Sequence, residues 1–329
     1  MLKIGVLGAG HLGRIHLKLI KEIEGYELVG FYDPDDKAAK TATSEYEVER
    51  YKTIADLIDA CDVIDIVTPT LSHFECAKQC LEKGKHIFIE KPVTNTLAEA
   101  EELLEILEKN SSLKVQVGHV ERFNPAFVSA QAEVNKPMFI ETHRLAQFNP
   151  RGTDVPVVLD LMIHDIDIIL SLVDSPVKSV MASGVAVISD SPDIANARIS
   201  FENGCVANLT ASRISIRNMR KTRIFQKDAY ISIDFLNKES EIVNLEPADE
   251  AQDPFAFVLE TGSGEKKKIN FKQPTVPQHN AIKEELKSLM QSIKENTDTA
   301  VSLRDGYMAL KVAHQVIDSF EPHQVELNS

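Results

Sequence analysis

Three groups of residues in this sequence have types and spacing that suit chemistry. In the first the useful feature is missing side chains. Gly8, Gly10 and Gly13 follow the apolar run Leu2, Ile4, Val6, Leu7 in the pattern G-x-G-x-x-G. Gly8 permits a tight turn, Gly10 lets a pyrophosphate reach the backbone, and Gly13 lets the next helix lie close on the strand. The N–H groups of His11 and Leu12 at that helix start face outward for an anion. Asp33 stands 20 residues beyond Gly13, after the apolar run Leu28–Tyr32, where a ribose-binding carboxylate belongs. A carboxylate accepts hydrogen bonds from a 2′-hydroxyl and repels a 2′-phosphate. Pro34, Asp35 and Asp36 follow with no Arg among them, so the expected dinucleotide is NAD rather than NADP. Lys37 and Lys40 weaken that preference only slightly.

The second group is Lys91 within Glu90-Lys91-Pro92, directly after the apolar run His86–Ile89. A Lys between a buried strand and a fixed-φ Pro is held in place. Its ammonium suits a reacting hydroxyl or carbonyl oxygen, whereas the plainer alternative is a solvated loop lysine paired with Glu90. The third group is Asp160 and His164, four apart and so on one face of a mostly apolar helix from Val157 to Leu172, with Asp167 beside His164. Ionisable groups on such a helix need partners. A structural ion pair or a satisfied core histidine would meet that need, as would a cleft facing a cofactor.

The elements that must position these groups are legible in the periodicity. Leu12, Ile15, Leu19 and Ile23 recur at helical intervals after the glycine turn. Residues 35–50 and 53–60 read as helices. Val63–Val67 reads as a strand ending in Thr68-Pro69-Thr70, and Val115–Val117 as one ending in Gly118-His119. Ser72 with Glu75, and Thr96 with Glu99, are capping-box signatures for helices to about Glu82 and Lys109. Strands alternating with helices predict an α/β fold, a doubly wound parallel Rossmann sheet over residues 1–122. In such sheets ligands lie beyond the carboxyl ends of the strands, which puts all these loops on the rim that carries Gly8–Gly13.

Asn124-Pro125 reads as a helix cap with Pro at the first helical position, opening a second, α+β part at 123–329. Met138–Leu145 is a strand. Short alternating segments from Val177 to Phe271, with Asn203-Gly204 as a hairpin turn, predict a mostly antiparallel open sheet. Residues 246–254 and 262–268 read as polar loops. Two amphipathic helices follow, Asn280–Lys294 and about 303–320, the last expected to pack back near the first domain. Arg213, Arg217, Arg220 and Lys221 form a basic cluster, either a solvated strand end or a receiver for a diphosphate or a partner subunit.

The 329 residues carry a formal net charge of −14, a poor match to nucleic acid or an anionic membrane, and no run is long enough for a membrane span. The N-terminal apolar run ends at a glycine turn without a cleavage site, unlike a signal peptide. Cys61, Cys76, Cys80 and Cys205 lack a zinc spacing and read as small buried hydrophobes in a reducing compartment, so the expected location is cytoplasmic and no metal is expected.

The glycine turn, Glu90-Lys91-Pro92 and the Asp160…His164 pair resemble the glucose–fructose oxidoreductase, inositol dehydrogenase and MocA family (Gfo/Idh/MocA), over nearly the whole chain. The resemblance implies an NAD-dependent dehydrogenase in which Lys91 contacts substrate, often beside a cis Pro peptide. It implies that Asp160 and His164 are catalytic, and that Thr68-Pro69-Thr70, His73 and Glu90 line the cofactor. A narrower likeness lies in Gly118–Ala126 and in Arg151-Gly152-Thr153-Asp154, which are similar to UDP-N-acetylglucosamine 3-dehydrogenases and nearby nucleotide-sugar dehydrogenases. It implies Arg122, Asn124 and Arg151 as substrate contacts and 3-oxidation of a UDP-N-acetyl-hexosamine. A free-sugar or inositol dehydrogenase is the alternative within the family. A non-catalytic NAD-binding regulator is the alternative outside catalysis, and a methyltransferase on the same turn would leave Lys91, Asp160 and His164 unexplained. An open sheet with one uncovered face suits a homodimer or homotetramer.

Overall fold

The computed structural model describes residues 1–149, 155–248, 257–262 and 264–320. By contacts the chain divides into two units, Met1–Phe123 with His279–Lys311, and Asn124–Gln278 with the described residues from Val312 on. Residues 279–311, placed with the second part by the sequence boundary at 122/123, therefore group with the first.

The first unit alternates strand and helix: β1 Leu2–Leu7, α1 His11–Lys21, β2 Tyr26–Tyr32, α2 Asp36–Tyr46, α3 Ile54–Ala60, β3 Val63–Ile66, α4 His73–Glu82, β4 His86–Glu90, α5 Leu97–Glu108, β5 Val115–Gly118. All strands are parallel in the order β2-β1-β3-β4-β5. The order reverses between β1 and β3, which opens a crevice at their carboxyl ends directly after the glycine turn. The buried face of α1 consists of Gly13, His16, Leu17, Leu19 and Ile20, with buried Ile23 just beyond it. Of the stripe expected from Leu12, Ile15, Leu19 and Ile23, the last two are buried, while Leu12 is exposed and Ile15 only half-buried, because close helix–strand contact at the start of α1 is centred on Gly13. Both hydrogen bonds of the Thr96–Glu99 capping box form. The Ser72–Glu75 box does not: Ser72 is itself in a helical conformation, in a 3-10 turn from Thr70 to Ser72, and makes no cap bond.

The second unit carries α6 Pro125–Ala130, β6 Phe139–Leu145, α7 Ile163–Leu172, β7 Val177–Val185, β8 Ile194–Phe201, β9 Val206–Ser212, β10 Met219–Gln226, β11 Ala229–Asp234, β12 Glu239–Pro247, β13 Val258–Glu260 and β14 Lys266–Lys272. They form a nine-stranded sheet, β13-β14-β12-β11-β10-β6-β9-β8-β7, antiparallel except where β6 pairs with β9. Burial alternates along β6, β8 and β9, so one face is buried, mostly apolar but with Thr142 and Arg144 on β6. The other face carries cross-strand polar pairs such as Arg223–Glu141 and Arg198–Asn208. Lys266–Lys268, expected in a loop, belongs to β14. Ladder pairing with β13 on one side and β12 on the other holds this charged segment in strand form despite its weak apolar signal. The helix expected from Val157 begins as a π-helical turn, Val158–Met162, and becomes α-helical at Ile163.

After the sheet, α8 Ala281–Glu295 returns to the first unit, where Leu286, Leu289 and Met290 pack against Leu17, Ile20 and Ile23. α9 Leu303–Asp318 runs from one unit into the other at Lys311 and Val312. No helix among the described residues is long and apolar enough to cross a membrane.

Candidate active site

The glycine turn has the form that a dinucleotide requires. Gly8 has φ +101°, and a Cβ there would lie 2.5 Å from the Val67 carbonyl oxygen. A Cβ on Gly13 would lie 2.1 Å from the Gly8 carbonyl oxygen, so both glycines are fixed by the fold. Gly10 differs, since a Cβ there would meet nothing within 4 Å. Packing does not require a glycine at that position, and its bareness keeps the approach to α1 open. Gly10 caps α1 without a side-chain bond, and no acidic residue lies in the first turn. The positive end of α1, with the N–H groups of His11 and Leu12, is left for an anion. The residues present therefore fit a dinucleotide pyrophosphate.

Asp33 is fixed beside this turn at the end of β2. Its Oδ2 accepts the Ala9 N–H at 2.6 Å, and its Oδ1 accepts the Asp35 N–H at 2.8 Å. Sequence reading missed Arg50, whose guanidinium donates to the Asp33 carbonyl oxygen at 2.8 Å and to Asp36 Oδ1 at 2.7 Å. Arg50 lies 17 residues away and arrives through a bridge between Phe31 and Arg50, which no local motif announces. It places a cation next to the carboxylate that would exclude a 2′-phosphate. Asp33→Ser, with Arg50 left in place, is expected to move the NADP/NAD ratio of kcat/KM at least about tenfold toward NADP. An unchanged ratio would show that Asp33 does not read the ribose.

Thr68-Pro69-Thr70 and Lys91 lie after β3 and β4, on the same sheet edge. His73 is buried beneath them. Its Nδ1 lies 2.9 Å from the Pro92 carbonyl oxygen and its Nε2 2.9 Å from that of Thr68. Burial pushes its pKa down, while the contacts to the Thr68 and Pro92 carbonyl oxygens, each of which calls for a ring N–H, push it up. His73 thus ties the two loops together from below. The Lys91–Pro92 peptide is cis. The Lys91 side chain is half-buried, and its N–H donates to Glu90 Oε2 at 3.2 Å. Room for the Glu90 carboxyl comes from Gly118, where a Cβ would lie 3.0 Å from it. Arg122 follows β5 in a 3-10 turn and is half-buried.

In the second unit, the Asn124 side chain is engaged by the fold. Its Oδ1 accepts the Ala126 N–H at 3.1 Å as the α6 cap, and its Nδ2 donates to the Phe235 carbonyl oxygen at 3.1 Å. Asp160 lies in the π-helical turn and His164 in the first turn of α7, both half-buried. Next to His164, Asp165 forms a buried two-pronged ion pair with Arg144, Nε to Oδ2 at 3.0 Å and Nη2 to Oδ1 at 2.9 Å. Arg213 is also structural. It donates to the carbonyl oxygens of Val155 at 3.0 Å and Pro192 at 2.9 Å, while Lys221 pairs with Asp234 at 3.1 Å. The basic cluster is thereby divided, with Arg217 exposed. Arg151 lies outside the described residues. Among the described residues no group of three His, Cys, Asp or Glu is placed to hold a metal ion.

Comparison with known proteins adds four findings. Residues 2–119 match the oxidoreductase family with an NAD-binding Rossmann fold, and residues 128–232 match the GFO/IDH/MocA C-terminal domain. The chain is similar to the UDP-N-acetylglucosamine 3-dehydrogenase of Acidithiobacillus ferrooxidans, 38% identical over 72% of this chain and 75% of that protein. A solved structure of that enzyme aligns with a TM-score of 0.86 and 32% identity, covering 97% of each chain. The chain is also similar to the NAD-dependent scyllo-inositol 2-dehydrogenase of Bacillus subtilis, 31% identical over 65% of this chain and 68% of that protein.

Proposed function

The chain belongs to the Gfo/Idh/MocA oxidoreductases, with their NAD-binding Rossmann domain, and on that premise we propose that it oxidises the 3-hydroxyl of a UDP-N-acetyl-hexosamine to a ketone. The observation that carries the substrate class is the 38% identity to a UDP-N-acetylglucosamine 3-dehydrogenase. Bound NAD supplies the acceptor for the hydride from the substrate carbon. His164 takes the hydroxyl proton as general base. Asp160 orients that imidazole and favours its charged form. Lys91 holds the reacting oxygen and stabilises its developing negative charge. Arg122 and Arg151 are assigned to the substrate, whereas Asn124 is held by the fold as the α6 cap.

The test follows NADH absorbance with a panel of UDP-sugars, free hexoses and inositols. Turnover with UDP-N-acetyl-hexosamines alone supports the proposal. Turnover with inositols alone would move the activity to that of the Bacillus subtilis relative. No turnover with any alcohol, alongside tight NAD binding, would make the protein a regulator.

The reading extends to assembly and location. The polar face of the nine-stranded sheet carries the aromatic run Phe139–Phe225–Tyr230, with ring centroids 5.8 and 5.1 Å apart, and Phe225 is exposed. That face suits a second copy of this chain, as a homodimer or homotetramer. Four buried free thiols support a cytoplasmic location.

A further inference from the structure

Beneath the Lys91 turn lies a cluster of ionisable side chains that the proposed chemistry does not use. His16, on the sheet-facing side of α1, is fully buried, with its ring 5.7 Å from that of Phe88. Its Nδ1 lies 2.9 Å from Asp65 Oδ2 and its Nε2 3.4 Å from Glu90 Oε1. Asp65 is in β3 and Glu90 ends β4, so the imidazole stands between carboxylates from neighbouring strands. Glu285 reaches the same region from α8, fully buried, with no hydrogen-bond partner on either carboxyl oxygen. Gln116, on β5, donates to the Glu285 carbonyl oxygen at 2.5 Å. The other groups bearing on the cluster are Glu121, Tyr26 and, through Glu90, Lys91.

We propose that His16 is a positioning residue for the reaction: standing between Asp65 and Glu90, it holds the Glu90 carboxyl in place, and Glu90 in turn holds the Lys91 turn. The inference rests on the reading of Lys91 as the group that meets substrate. Two buried carboxylates on adjacent strands repel, and a cation between them reverses the sign of that interaction. Burial opposes the charge on His16, but Asp65 and Glu90 outweigh it and push its pKa well up. Burial, and then Glu90, push the Glu285 pKa up. The arrangement joins the helix that receives the cofactor phosphates to the turn that carries Lys91.

The first test needs no substitution. In the NAD-bound full chain, 15N NMR of histidine should find both His16 ring nitrogens protonated at pH 8, and a neutral ring there would overturn the inference. The second test is His16→Gln. Removing the imidazole leaves the Glu90 carboxyl without its contact to α1, so kcat should fall at least about tenfold with KM for NAD within about twofold. In a Glu90→Gln background the same change should add little, because His16 acts through Glu90. Full additivity, or an unchanged kcat, would overturn the inference. Lys91→Met is measured alongside. Retained turnover in that variant refutes the Lys91 assignment, whereas its loss with an unchanged His16→Gln kcat refutes only the role of His16.

Discussion

Lys91→Met is expected to lower kcat by about a hundred- to a thousandfold while NAD affinity stays within about twofold. Methionine keeps the length and apolar stem of the side chain and removes only the ammonium. The Lys91 N–H bond to Glu90 is main chain and survives. What is lost is stabilisation of negative charge that develops on the reacting oxygen, which is larger in the transition state than in the bound alcohol. The loss should therefore fall on kcat rather than on KM. His164→Asn removes a proton acceptor and keeps a polar side chain of similar reach. It should cost about a hundred- to ten-thousandfold in kcat and remove the acid limb of the pH profile that a neutral imidazole imposes. If both residues serve one step, the double variant should be barely slower than the worse single variant. Single-turnover kinetics in the direction of NADH formation would measure all three. Near-normal turnover in either single variant would remove that residue from the chemistry.

The parts of this site legible in the sequence are those fixed by local backbone geometry. Gly13 is required by its contact to Gly8 within one strand–turn–helix unit, and Gly8 by its positive φ at the turn, so their spacing announces them. The parallel sheet follows from strands that are buried on both faces and separated by helices, a pattern periodicity records directly. Asp33 was legible because the distance from Gly13 is a property of one β-α-β unit. Arg50 was not, because it reaches Asp33 through a bridge to Phe31 that depends on how the chain folds after α2. His16 was hidden for a related reason. A polar residue on a helix stripe reads as solvent-facing, and its burial shows only when Asp65 and Glu90 arrive from β3 and β4. Lys266–Lys268 read as a loop because its charges mask a period of two, and pairing with β13 and β12 makes it a strand. The π-helical turn at Val158–Met162 has no sequence signature in an apolar run.

The largest expected effect on stability concerns a pair that lies next to the proposed base without joining it. Arg144 is on the buried face of β6, and Asp165 is in the first turn of α7, with side chains only 3% and 5% exposed. Arg144→Met leaves the Asp165 carboxylate without its guanidinium in a dry environment, which should cost about 3–5 kcal/mol. In a chain of this size that lowers the unfolding midpoint by about 4–7 °C. Arg144→Met with Asp165→Leu removes both charges and should recover most of the loss, because two apolar side chains of similar volume need no partner. Recovery of turnover is a separate matter. The ion pair has two hydrogen bonds in one plane, so it fixes the rotation of α7 about its axis, whereas an apolar contact tolerates several rotations. His164 is the neighbouring residue on that helix. The double variant should therefore unfold near the wild-type temperature yet keep a kcat reduced at least about tenfold. Scanning calorimetry with steady-state kinetics separates the two effects. Equal recovery of both would show that the pair contributes only stability, and that the orientation of His164 is set by other contacts on its helix.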